Sequence, residues 1–321
     1  NMMKKKKGRL VPAVFAAVLS VALLFSGCGK SDKGIRMGTA GEGGNYYSFG
    51  QAFGKFLEDD IEGLDVDVRV TAGSAANIRL MTDKGKYIEL AIAQADVIND
   101  YLASNSQPGF GAIAGLYTEA CQVVTLADSG ITSVRDLRGR AVSVGEEESG
   151  SEKNAKQILQ AYGISMDMVD AKNMNYTEAA DALNKGEIDA FFCTVGVQTT
   201  TVEQLAKKTP IRLLDITGTE AEALTDTYPY FVSYTIPAGT YTGQAQDVQT
   251  LGVKSILIAS SSLSADRVKQ ITGCLFDHVQ DLEYVVPVDF ELDPVLATKD
   301  IPVPFHDGAK AWYSDNGIAI D

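Results

Sequence analysis

The chain has 321 residues, 45% of them hydrophobic, with 28 Lys and Arg against 42 Asp and Glu and a formal net charge of −14. That length holds one large domain or two medium ones with proper cores. So acidic a composition argues against a nucleic-acid partner and against a polybasic membrane patch, while backbone amides in a cleft remain able to hold an anion.

The first segment reads as an address. Lys4 to Lys7 and Arg9 are basic, Leu10 to Phe25 is an apolar run, and Ser26-Gly27-Cys28 closes it. A basic start, a short apolar stretch and small residues before a cut mark an export signal. An apolar run of about 16 residues is shorter than the roughly 20 that a spanning helix needs. The cysteine directly after the small residues resembles a bacterial lipoprotein signal. Residues 1–27 are then the signal, and Cys28 is lipidated as the first mature residue. Residues 28–34 form a polar, Gly-containing tether. The expected location is the outer face of the bacterial cytoplasmic membrane, lipid-anchored, with the bulk of the protein in water.

Strands and helices alternate after the tether. Ile35 to Thr39 reads as a strand and Gly41-Glu42-Gly43-Gly44 as a turn. Tyr46, Phe49, Phe53, Phe56 and Leu57 then recur at helical spacing. Val66, Val68 and Val70 alternate with charged residues, as in a strand. Asn77 to Met81 suits a helix start and Leu90 to Ala93 a strand. The pattern restarts near Gln122 to Ala127, a strand. Ser133 to Asp136 has the form of a capping box. Ala141 to Val144 is a strand, Gly145 to Ser151 a second polar turn, and Ala155, Ile158, Leu159 and Tyr162 share a helix face that Gly163 ends. A further helix stops at Gly186, and strands follow at Ile188 to Val195 and Ile211 to Ile216. Tyr228 to Tyr241 is aromatic, proline-bearing and extended or irregular. Lys254 to Ala259 is a strand. Ser264 caps one long helix running through Leu282, and the proline-rich tail is expected to wrap the surface. Such alternation predicts an α/β fold with a mostly parallel sheet.

The strand, polar turn and helix unit occurs twice, at 35–57 and at 141–162. Each turn sets helix-start amides at the carboxyl edge of a strand, a ready place for a carboxylate. Each alone also fits an ordinary strand-to-helix turn. Other chemistry is poorly supported. Tyr46 replaces the third glycine of a dinucleotide fingerprint, and no P-loop or Gly-x-Ser-x-Gly is present. The two histidines, His278 and His306, are far in sequence from both turns. No cluster of metal ligands stands out, and Glu146-Glu147-Glu148 reads as a solvated charge run. Neither a metal, a cofactor nor a catalytic residue is expected. After lipidation three cysteines remain, Cys121, Cys193 and Cys274, with no Cys-x-x-Cys among them. Cys193 reads as a small buried hydrophobe. A Cys121–Cys274 bridge is the pairing left open, beside the favoured free thiols.

Seven segments in order resemble one family. They are Gly38 to Tyr47, Thr71 to Leu80, Ile92 to Val97, Ala127 to Ile131, Asp136 to Gly139, Ser149 to Glu152 and Ile236 to Tyr241. Together they resemble the TAXI group, solute receptors of tripartite ATP-independent periplasmic (TRAP) transporters. The resemblance implies a two-lobe periplasmic-binding-protein-like fold whose lobes, 35–124 plus 250–321 and 125–249, are joined by crossing strands around a ligand cleft. It implies a non-enzymatic receptor for a small carboxylate or amino acid, delivered to a TRAP-type membrane permease. Gly43, Gly44, Asn45 and Tyr46 are implied to line the first turn, Ser74 and Asn77 the next helix start, and Gln94 a strand end. Ser149, Gly150 and Ser151 come from the other lobe, and Thr39 and Gly196 complete the set. Two departures stand out: Asn45, where threonine is frequent, and the Glu146 to Glu148 run, which would favour a ligand amine if it reached the cleft. Arg79 is the nearest candidate for a carboxylate clamp. The rivals are a sensory receptor and, behind it, an exported enzyme on the same scaffold.

Overall fold

The structure, a computed structural model, describes residues 34–320. The expected signal, Cys28 and the tether before Gly34 lie outside the described residues. No helix among the described residues is long and apolar enough to cross a membrane.

The chain opens with β1 (Gly34–Gly38), α1 (Asn45–Asp60), β2 (Asp65–Arg69), α2 (Ser74–Thr82), β3 (Leu90–Gln94), α3 (Ala95–Ser104) and β4 (Phe110–Leu126). It continues with β5 (Ala141–Ser143), α4 (Gly150–Ala161), β6 (Asp170–Lys172), α5 (Tyr176–Asn184), β7 (Ala190–Val195), α6 (Thr200–Lys208) and β8 (Ile211–Leu213). Then come α7 (Gly218–Thr227), β9 (Val232–Ile236), β10 (Val248–Ser260), α8 (Ala265–Asp277), α9 (Val279–Val285) and α10 (Asp307–Asp315). The strand order is β2-β1-β3-β10-β4-β7-β5-β6, with β8 beside β4 and β9 beside β10.

The sheet is mixed, not mostly parallel. Strands β2, β1 and β3 are parallel to one another at one end, and β6, β5 and β7 at the other. Between them run β10 and β4, antiparallel to each other and to the neighbours β3 and β7. Strand β4 pairs with β10 over its first part and with β7 over its last. This one 17-residue strand therefore belongs to both halves. Its residues are buried almost throughout, which explains why no alternation marks its first eleven. Gly111 lets the carboxyl-terminal segment close over it, since a Cβ there would sit 2.5 Å from the His306 backbone nitrogen.

The helix faces follow the apolar spacing. Phe49, Phe53 and Leu57 of α1 are fully buried, as are Ile158 and Leu159 of α4. Gly163 and Gly186 take positive φ just beyond α4 and α5, the left-handed conformation that ends a helix at little strain. Three local expectations differ from the structure. The helix capped by Ser264 breaks at His278, whose φ of −109° and ψ of 21° leave helical geometry, so α8 and α9 are separate. The tail carries α10, anchored by the buried Tyr313, whose hydroxyl donates to the Ile113 carbonyl at 2.7 Å. The Ser133 capping box forms, but over a single 3₁₀ turn.

Candidate functional site

Every parallel strand delivers its carboxyl end to the same place. The loops after β1, β2, β5 and β6, together with the ends of β3 and β7, supply most of the lining of one cavity. Glu119 of the shared strand β4 also lines it. This is the crevice that open α/β sheets use for ligands.

Five helices begin at this cavity. Their N-cap residues, Gly44 of α1, Gly73 of α2, Gln94 of α3, Ser149 of α4 and Asn175 of α5, all line it. First-turn amides and the helix dipoles make such a place positive. Ser149 and Asn175 cap their own helices with side-chain oxygens, whereas α1, α2 and α3 have no side-chain cap.

The charged side chains are of the opposite kind. Glu119 and Glu146 line the cavity, and none of the described lining residues is Lys, Arg or His. Glu119 is buried, and its Oε2 accepts from the Tyr46 hydroxyl at 3.3 Å. Burial pushes its carboxyl well above the usual range, nearby Asp96 adds to this, and the Tyr46 hydrogen bond opposes it. Burial, then the neighbouring Glu178, raises Glu146 as well. Glu147 is exposed, and Glu148 turns away to pair with Arg79 at 2.7 Å. Arg79 is thus engaged on the surface and does not line the cavity.

A polar network closes the floor. Asn154 Oδ1 accepts from Gln94 Nε2 at 3.0 Å and from Thr194 Oγ1 at 2.9 Å, while Asn154 Nδ2 donates to Asp96 Oδ2 at 2.8 Å. Ser151 accepts from the Thr194 amide at 2.8 Å and shares a short hydrogen bond with the Tyr176 hydroxyl. Asn45 Oδ1 accepts from Thr199 Oγ1 at 2.7 Å. Residues from the two ends of the sheet are therefore in direct contact around the cavity.

Of the residues expected from sequence, Gly44, Asn45, Tyr46, Ser74, Gln94, Ser149 and Gly150 line the cavity. The others stand outside the lining. Thr39 and Asn77 are buried supports: the Thr39 hydroxyl donates to the Arg69 carbonyl, and the Asn77 amide to the carbonyls of Thr39 and Ile92. Ser151 acts through Tyr176 and Thr194. Gly43 faces an adjoining groove and accepts from the Thr201 hydroxyl at 2.7 Å. Gly196 packs under Val288 and Tyr117. Sequence reasoning missed Glu119, Asn175, Tyr176 and Thr194. Glu119 is hidden in a strand that no alternation revealed, though an acid in so apolar a run was a signal. The three remaining cysteines are buried and free, so the Cys121–Cys274 bridge does not form. Cys193 is a buried hydrophobe, its thiol pushed up by burial.

The fold is that of the two-lobe periplasmic-binding-protein-like class. The structure is similar to the alkanesulfonate-binding protein SsuA from Xanthomonas axonopodis pv. citri bound to MOPS, at 14% identity over 80% of each chain with a TM-score of 0.50. It is also similar to a protein from Bordetella bronchiseptica RB50, at 14% identity over 89% of this chain and 98% of that one, with a TM-score of 0.55. The chain belongs to the NMT1-like family, whose model matches residues 37–317.

Proposed function

We propose that this protein is a lipid-anchored extracytoplasmic receptor that captures an amino acid between two lobes and hands it to a TRAP-type permease. The observation that carries the reading is the pairing of five helix N-termini with two carboxylates, and no basic side chain among the described lining residues, in one cavity. The amides suit a ligand carboxylate. Glu119 and Glu146 suit an ammonium group, because a charge leaving water needs an opposite partner. A dicarboxylate would place two negative charges beside two acids, so the zwitterion is the better match. Among the described lining residues no Ser or Thr hydroxyl is hydrogen-bonded to the carboxylate of Glu119 or Glu146, which suits capture rather than turnover.

The TRAP-type partner and membership of the TAXI group rest on the seven ordered segments, and lipidation rests on Cys28. The lobes are taken as 35–124 plus 250–321 and 125–249. Hinge closure between them would select the closed form when ligand binds.

The test is a thermal-shift series on protein unfolded and refolded to strip carried-over ligand. Amino acids, dicarboxylates and alkanesulfonates are compared. Binding to the native state alone adds about 2.7 kcal/mol at one hundred times Kd, a shift of several degrees. A shift with an amino acid and none with dicarboxylates or sulfonates is expected. A shift with sulfonates alone would overturn the zwitterion reading. Turnover of the bound compound would overturn the receptor reading.

A further inference from the structure

We infer that Asp60, Cys274 and His278 form a site for a divalent transition metal, zinc by the chemistry of its donors, strapping α1 to α8. The site lies apart from the ligand cavity and does not depend on the function proposed above.

Asp60 is the last residue of α1, Cys274 lies in the last turn of α8, and His278 follows that helix as its C-cap. A spacing of four sets Cys274 and His278 on one helix face. Their ligand atoms and a carboxylate oxygen of Asp60 all lie within 4.8 Å of one another. His278 Nε2 is 2.8 Å from Asp60 Oδ2. Tetrahedral zinc, with bonds of about 2.0–2.3 Å, holds its ligand atoms roughly 3.3–3.8 Å apart. A small rotation of the partly exposed Asp60 side chain opens that space.

The surroundings fit a ligand imidazole. His278 Nδ1 is 2.8 Å from Asp281 Oδ2, the outer carboxylate that fixes the tautomer and leaves Nε2 facing a metal. The Phe56 ring stacks on the imidazole at 4.2 Å and 2°. The ring is thus oriented before any ion arrives. Thiolate, imidazole and carboxylate are donors for zinc, with water in the fourth position; calcium and magnesium would want more oxygens. Binding forms bonds to sulfur, nitrogen and oxygen. It releases the Cys274 thiol proton to solvent, together with the imidazole proton shared with Asp60 when the ring is charged. Without metal, the imidazole simply bridges Asp60 and Asp281.

Cobalt(II) added to chelator-stripped full-length protein tests this. The expected result is one equivalent bound, with a thiolate-to-cobalt charge-transfer band and tetrahedral visible bands, displaced by zinc. Cys274→Ser should abolish the charge-transfer band. Asp281→Asn should keep it while weakening affinity by roughly 10- to 100-fold. No stoichiometric uptake, or uptake without the charge-transfer band, would overturn the site. So would a folded Cys274→Ser protein that keeps the band. The wild-type spectrum decides even if that variant fails to fold.

Discussion

The Tyr46 hydroxyl donates to Glu119 Oε2 across 3.3 Å, joining the first turn of α1 to the middle of the strand that both halves share. Both groups are buried. Burial therefore holds the carboxyl of Glu119 toward its neutral form.

That gives a pH prediction whose sign is fixed. Burial, with Asp96 adding and Tyr46 opposing, raises the native Glu119 pKa well above its unfolded value. Between those two values the native state holds a proton that the unfolded chain has lost. The ligand-free protein should therefore lose stability as pH rises out of the ordinary carboxylate range and through this window. The slope from one such group is at most about 1.4 kcal/mol per pH unit. Glu119→Gln should remove this component, so its urea midpoint relative to wild type should climb with pH. Parallel stability curves for the two proteins would show that Glu119 does not titrate in this way. The same variant should weaken amino-acid binding by about 1.5–3 kcal/mol, the usual worth of a hydrogen bond to a charged group.

Gly150 reports on contact between the two ends of the sheet. A Cβ there would lie 1.9 Å from Gln94 Oε1. The Gln94 amide is tied to Asp96 at 3.1 Å and to Asn154 at 3.0 Å, so it gives way only by breaking that network. Gly150→Ala should weaken ligand binding at least tenfold, measured by calorimetry. Adding Gln94→Ala should recover part of the loss by removing the clash. A double variant no better than Gly150→Ala alone would show that the contact does not govern binding.

Much of this was legible in the sequence because local rules and the global fold agree. The helix face from Tyr46 to Leu57, the strand at Leu90 and the stops at Gly163 and Gly186 each follow from spacing or a glycine. The two polar turns pointed to the cavity because amides at a helix start are exposed whatever the tertiary structure. Glu119 was not legible: β4 is buried on both faces, so periodicity cannot separate it from its surroundings. Nor was the meeting of Asp60 with His278, which are 218 residues apart and brought together by the packing of α1 against α8. The break at His278 was hidden because Val279 and Leu282 continue the apolar spacing past it.

The α8–α10 contact should be intolerant of bulk. A Cβ on Gly308 would lie 2.2 Å from the Ala265 carbonyl oxygen and 2.7 Å from Val268 Cβ. The first of these is backbone and cannot rotate away. Gly308→Ala should destabilise the protein by about 1–3 kcal/mol through overpacking, despite the better helix propensity of alanine. Chemical denaturation checks this, and an unchanged midpoint would mean that α10 shifts freely.

Glu146 should tune which ligands are accepted. It lines the cavity from the second polar turn, half-buried, its carboxyl raised by burial and by Glu178. Its neighbour Glu148 pairs with Arg79, and its backbone carbonyl accepts from the Ala76 amide at 3.1 Å, which holds the turn against α2. Removing the Glu146 charge should therefore leave the turn in place. Glu146→Gln should lower affinity for a ligand carrying an extra amine by about tenfold, near 1.4 kcal/mol. The same change should ease binding of acidic amino acids by relieving like-charge repulsion. A calorimetric comparison of neutral, acidic and basic amino acids on both proteins measures the exchange. An equal loss for all three would place Glu146 on the α-ammonium that they share and not on the side chain that distinguishes them.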